Sequence, residues 1–167
     1  SVATRDRGEV VHRTIAELEG IIADRERFFR AHRIDSMGTY RAGRAQGRFD
    51  DGYGDVFLVI DGWATIRSDF DDLEQRLTVL AARGLTFGVH LVLSSGRWMD
   101  LRQPVKDVIA TRLELRLGDP ADSEMDRKLA ALVPHQRPGR GIEAGRHHVL
   151  VALPRADGDP DPATLSA

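Results

Sequence analysis

The stretch that decides the fold is Asp55-Val-Phe-Leu-Val-Ile-Asp61-Gly62-Trp63. An unbroken apolar run, Val56 to Ile60, stops at an acid. Such a run predicts a central strand of a parallel sheet, buried on both faces. An acid at the C-terminal end of that strand stands where open α/β sheets bind their ligands. The simpler reading is a buried strand that ends in a turn, because Asp-Gly is a common turn pair.

Working outward, helices and strands alternate. Val11, Ile15, Leu18, Ile22 and Phe29 recur on one helical face between Gly8 and His32. A second short helix is expected from Met37 to Ala45 after Asp35-Ser36, then a Gly- and Asp-rich loop from Gln46 to Gly54. Past Asp61, Ser68 is expected to cap a helix with Asp71 behind it, Leu73, Leu77 and Leu80 on its inner face and Gly84 just past its end. Phe87 to Ser94 reads as a strand ending in Ser94-Ser95-Gly96-Arg97. Leu101 to Ala110 reads as a helix with Pro104 in its first turn.

Leu113, Leu115 and Leu117 alternate with Arg112, Glu114 and Arg116, which predicts a strand with one wet face. A helix is expected from Asp119-Pro120 to about Leu132, a loop from Pro134 to Gly145 and a last strand from His147 to Leu153. No internal repeat is found. The class that follows is α/β with a mostly parallel sheet and flanking helices.

Composition excludes several functions. The 167 residues are 41% hydrophobic and 30% charged, with net charge -2, so the chain can bury a core and carries no global excess of positive charge for nucleic acid. It has no cysteine, which removes disulfides and thiolate-bound metals. No apolar run approaches the roughly 20 residues that span a bilayer, and the first residues lack a signal-peptide core.

An acid ending a buried strand is the Walker B pattern of P-loop nucleotide hydrolases, in which the Asp holds Mg²⁺, usually through water. Many such enzymes place a Glu next to activate the attacking water; here the residue is Gly62. The matching Walker A loop needs a Gly-Lys pair followed by Ser or Thr. Only Lys106 and Lys128 are present, preceded by Val105 and Arg127, so any phosphate cradle comes from outside this chain. Arg140 sits between two glycines, and turn structure is its expected role. His90 is expected to be a buried structural histidine. His147 and His148 are adjacent in a strand and point to opposite faces.

The chain resembles the FtsK/SpoIIIE-type ATPase domains of EccC, the motor-like component of type VII (ESX) secretion. The landmarks are Arg25-Glu26-Arg27 with Phe28-Phe29, Ile34-Asp-Ser36 with Tyr40-Arg41, Val56 to Trp63, and Ser95-Gly-Arg97-Trp98. They continue with the long run Thr111 to Glu124, then Arg137-Pro-Gly-Arg-Gly141 and Leu150 to Arg155. Asp-Gly-Trp looks like the second of the tandem domains, where the first usually has Asp-Glu.

The resemblance implies an FtsK-like P-loop domain incomplete at its N-terminus, with residues 1–156 its C-terminal portion and 157–167 a linker. It implies ATP and Mg²⁺ as cofactors of the intact domain. Asp61 would hold Mg²⁺ through water, and Ser94 and Ser95 would lie at the nucleotide, a polar strand end that can sense the γ-phosphate. Arg97 would be a candidate arginine finger toward a neighbouring protomer, or a surface partner of Asp100. No general base is assigned, so weak or absent hydrolysis is expected.

Expected partners are neighbouring ATPase domains of the same protein, secreted ESX helical-hairpin substrates and further copies in an oligomer. The expected place is the cytoplasmic side of a plasma-membrane complex. Two other readings stay open: an FtsK-type DNA translocase, against which Gly62 and the charge both count, and an interaction domain that binds no nucleotide.

Overall fold

The first helix, α1, spans Gly8–His32, the limits expected from its apolar spacing. Its buried residues include Ile15, Leu18, Ile21, Ile22 and Phe29, and it ends on Arg33 in the left-handed conformation (φ 54°). The chain then enters α2, Met37–Ala45, capped by Ser36, whose hydroxyl accepts from the Thr39 amide at 3.1 Å.

One buried residue of α1 is charged: Arg25 is only 1% exposed. Its Nε donates to Asp51 Oδ2 at 2.5 Å, Nη1 to the Phe87 carbonyl at 2.6 Å and Nη2 to the Gly54 carbonyl at 2.6 Å. The Tyr40 hydroxyl donates to the other oxygen of Asp51. A buried guanidinium with so many partners fixes the loop before the strand to α1.

The computed structural model describes residues 3–70 and 72–152. They fall in two compact units, Ser1–Ala110 and Thr111–Ala167.

In the first unit, β1 (Val56–Ile60) and β2 (Val89–Leu93) pair in parallel, Val56 opposite Val89 through Ile60 opposite Leu93. Val56, Leu58 and Ile60 pack on a core that includes Ile15, Leu18, Trp63, Leu77 and Val105. The other face differs from the sequence expectation. Phe57 is 62% and Val59 68% exposed, so β1 is buried on one face only. The helical core lies against a single side of the pair, and among the described residues no layer covers the other.

Two helices follow the strand where one was expected. α3 spans Trp63–Asp69, and α4 spans Leu73–Gly84. Ser68 is not a cap: it lies inside α3, and its hydroxyl bonds Asp69 Oδ1 at 2.6 Å. Asp71 lies outside the described residues. Trp63, Ile66 and Phe70, spaced i, i+3 and i+7, all reach the core, and this apolar spacing builds the extra helix.

Gly84 is not the left-handed residue past α4. The helix runs into a 3-10 turn, Leu85–Phe87, and Gly88 takes φ 68°. Gly84 is glycine because a Cβ would lie 2.6 Å from the Val89 carbonyl oxygen. α5 is Gln103–Val108, shorter than expected, with Pro104 in its first turn.

The second unit holds β3 (Leu113–Leu115), α6 (Arg127–Leu132), β4 (Arg140–Glu143) and β5 (His148–Leu150). The strands form an antiparallel sheet in the order β3-β4-β5. Among the described residues, parallel pairing is thus confined to the first unit. β4 lies within the stretch expected as a loop, and Arg140 begins it.

The alternation of β3 is inverted: Glu114 is 3% exposed, Leu113 and Leu115 are 49% and 47% exposed. Glu114 Oε2 accepts from the Ser123 hydroxyl at 3.1 Å on the inner side. Ser123 also breaks the expected long helix. Pro120–Asp122 is a 3-10 turn, and α6 starts afresh on Asp126, whose carboxylate accepts from the amides of Lys128 and Leu129. The expected linker at 157–167 lies outside the described residues. Among the described residues no helix is long and apolar enough to cross a membrane.

Candidate functional site

The C-terminal end of β1 is a tight turn wired to the end of β2. The Ser94 amide donates to the Ile60 carbonyl at 2.9 Å, continuing the ladder, and the Trp63 amide donates to the Ser94 carbonyl at 2.8 Å. Gly62, between them, has φ 86° and ψ 74°, a left-handed conformation that glycine adopts without a Cβ penalty. The Ser94 hydroxyl closes the turn. It donates to Asp61 Oδ1 at 2.6 Å and accepts from the Gly62 amide at 2.8 Å. Trp63, fully buried, anchors the first turn of α3 beneath.

The sequence reading placed Asp61, Ser94 and Ser95 at neighbouring strand ends, and the structure brings Asp61 and Ser94 into contact. Ser95 turns aside: its hydroxyl donates to the Arg97 carbonyl at 3.0 Å. Arg97 is exposed and its Nη2 meets Asp100 Oδ1 at 3.3 Å, which is the local surface pair rather than a reach toward Asp61.

Asp61 itself is exposed and forms no ion pair among the described residues. Its Oδ2 has no hydrogen-bond partner among them. A carboxylate fixed through one oxygen and open at the other suits a hard cation or its bound water. Among the described residues no group of three His, Cys, Asp or Glu side chains forms a metal cage. An open cavity of about 750 Å³ runs along β1 from α1, lined by Val11, Ile15, Phe57 and Val59, and reaches Asp61 and Gly62.

The opposite end of β1 carries a second acid that the sequence reading overlooked. Asp55 takes a bidentate pair from Arg41 of α2, at 2.9 and 2.6 Å, and a bond from His90 Nε2 at 2.8 Å. Arg41, then His90, hold the Asp55 carboxyl well below the usual carboxylate range. His90 is therefore not a buried structural histidine. It is half-exposed, pairs with Asp55 and stacks on Phe57 with ring centroids 4.7 Å apart. The signal available was parity: β1–β2 register puts His90 opposite Phe57, beside the strand start. In the second unit His147 Nδ1 meets Glu143 Oε1 at 2.7 Å, a hairpin contact.

The chain and its fold have relatives among known proteins. The family model of the FtsK/SpoIIIE family matches residues 1–157. The chain is 52% identical over 99% of its length to the ESX secretion system protein EccC of Thermomonospora curvata, of which it spans 13%. It is 49% identical over 95% of its length to the ESX-4 secretion system protein EccC4 of Mycobacterium tuberculosis, again spanning 13%. Among solved structures, Thermomonospora curvata EccC (ATPases 2 and 3) in complex with a signal sequence peptide superposes with a TM-score of 0.92 at 52% identity, covering 99% of this chain and 30% of that one. The conjugation coupling protein TcpA, 20% identical with a TM-score of 0.66 over 81% of this chain and 41% of that one, shares the fold. Strand, acid, turn and sequence thus agree: the chain belongs to the FtsK/SpoIIIE family, with the α/β fold of P-loop ATPase domains, and its close relatives are the EccC proteins of ESX secretion.

Proposed function

We propose that this chain is the Mg²⁺-holding portion of an ATP-binding domain in an EccC-type secretion ATPase, one that binds nucleotide and hydrolyses it slowly or not at all. The observation that carries the reading is Asp61, an exposed carboxylate at the C-terminal end of a parallel strand with one oxygen fixed and the other open. The fit to Mg²⁺ is good. That ion usually keeps several waters and takes one or two carboxylates plus substrate phosphates, not an all-protein cage. When bound, Mg²⁺ would neutralise charge on the phosphates. Asp61 would hold it through water, with Ser94 and Ser95 lining the strand ends beside it.

Slow turnover follows from Gly62, which has no side chain to act as a base. A trans role for Arg97 requires release of its exposed pair with Asp100, a small cost of about 0–1 kcal/mol. The phosphate cradle is contributed by residues outside this chain, as part of a domain in which 1–156 is the C-terminal portion and 157–167 a linker. The same residues would cover the exposed Phe57 and Val59 face, since an apolar patch of this kind marks a contact surface. The short share of the relatives' length that this chain spans supports that reading.

In the whole protein the domain would work beside other ATPase domains, in an oligomer at the plasma membrane that exports ESX helical-hairpin substrates. The signal sequence peptide bound to Thermomonospora curvata EccC motivates the substrate class. The place as second in the tandem series rests on Asp61-Gly62-Trp63. A DNA translocase is disfavoured by Gly62 and by the net charge of -2. The experiment is equilibrium ATP binding and single-turnover hydrolysis on the full protein, with its other domains silenced. Binding that needs Mg²⁺, with turnover at or near background, is expected. Robust turnover, or salt-dependent DNA binding, would overturn the assignment.

A further inference from the structure

We propose that Ser94 is a positioning residue that holds Asp61 for its cation and does not itself read the phosphate, and that Gly62 is glycine because this latch demands it. The inference rests on the nucleotide reading above. A serine hydroxyl has one proton to donate and two lone pairs to accept with. Here the proton goes to Asp61 Oδ1 at 2.6 Å, a short bond to a carboxylate. One lone pair takes the Gly62 amide at 2.8 Å.

With its proton given to Asp61, Ser94 has none to offer a γ-phosphate oxygen. Instead it orients Asp61 so that Oδ2 stays open, as partners of metal ligands do elsewhere. The same bond ties the Gly62 amide inward at φ 86°. Any side chain there is strained, and a residue that relaxes to negative φ pulls its amide off Ser94. Position 62 is thus more than an empty base site: a glutamate installed there disturbs the turn that holds Asp61.

The test uses Ser94→Ala, Ser94→Thr, Gly62→Glu and Asp61→Ala in the full protein. Two readouts are taken: amide exchange resolved at residues 62 and 63 without nucleotide, and the Mg²⁺ concentration that half-saturates ATP binding. Ser94→Ala is expected to speed exchange at Gly62 by roughly fivefold or more and leave Trp63 unchanged, since Trp63 bonds the Ser94 backbone carbonyl. It is also expected to raise the Mg²⁺ requirement roughly 10- to 100-fold. Ser94→Thr keeps the hydroxyl and restores both values, and Gly62→Glu raises the Mg²⁺ requirement without gaining turnover.

Unchanged Gly62 exchange in Ser94→Ala overturns the latch. An unchanged Mg²⁺ requirement in Ser94→Ala, with Asp61→Ala abolishing it, overturns the positioning role and leaves the nucleotide reading standing. Turnover gained by Gly62→Glu overturns the claim on Gly62. Asp61→Ala without effect on the Mg²⁺ requirement overturns the nucleotide reading, and the inference with it.

Discussion

One strand carries an acid at each end, and the two are treated in opposite ways. Asp55, before β1, is clasped by Arg41 and His90, and the loop leading to it is pinned by buried Arg25 through Asp51 and Gly54. Asp61, after β1, meets one hydroxyl and no cation among the described residues. A carboxylate already paired with a guanidinium and hydrogen-bonded to an imidazole holds structure together. One left with an open oxygen, where α/β sheets receive ligands, is free to meet a cation that arrives with its ligand. Under the proposed function, the contrast gives structural work to the first end of β1 and cation binding to the last.

Substitutions can break or sharpen this contrast. The largest effect is expected at the structural end. Arg25→Met leaves Asp51 Oδ2 and the Phe87 and Gly54 carbonyls without their Arg25 donor and should cost about 3–5 kcal/mol in urea unfolding. A loss below about 1 kcal/mol would mean that this end is not held by charge. At the other end Gly62→Ala should cost about 1–2 kcal/mol from the left-handed backbone alone. A neutral result would mean that the turn relaxes freely.

Asp55→Asn should cost about 1 kcal/mol at neutral pH. Its pH dependence has a definite sign. The folded carboxyl titrates below its ordinary 3.8, so its stabilisation is complete above that value and fades as the pH falls below it. The variant should then lose less stability than the parent between neutral pH and acid, read as a flatter acid-unfolding curve. Equal slopes would detach Asp55 from Arg41 and His90. Smallest of all, Asp61→Asn keeps an oxygen for Ser94 and should change stability by less than about 0.5 kcal/mol. A larger loss would make Asp61 a structural acid like Asp55.

Much of the fold was legible because its elements are strongly periodic. α1 and α2 appear at the expected limits, and the Val56–Ile60 strand with its terminal acid is where the apolar run placed it. What was not legible was decided by neighbours. The exposure of Phe57 and Val59 depends on a layer that no local pattern reports. α3 hid behind Gly62, whose turn chemistry masked the apolar spacing from Trp63 to Phe70. Glu114 turned inward because Ser123, nine residues on, supplies a hydroxyl. At the site, Asp61 and Ser94 could be paired by assuming adjacent strands. The hydroxyl bridging Asp61 and the Gly62 amide, like the Asp55 clasp, depends on side-chain geometry across the β1–β2 pair.

The most direct test of the central claim sets the two acids against each other in the full protein. Asp55→Ala and Asp61→Ala are compared for Mg²⁺-dependent ATP binding at this domain. Asp61→Ala should abolish the Mg²⁺ dependence, and Asp55→Ala should bind as the parent does at neutral pH. If Asp55→Ala removes the dependence while Asp61→Ala retains it, the assignment of binding to the C-terminal end of β1 is contradicted.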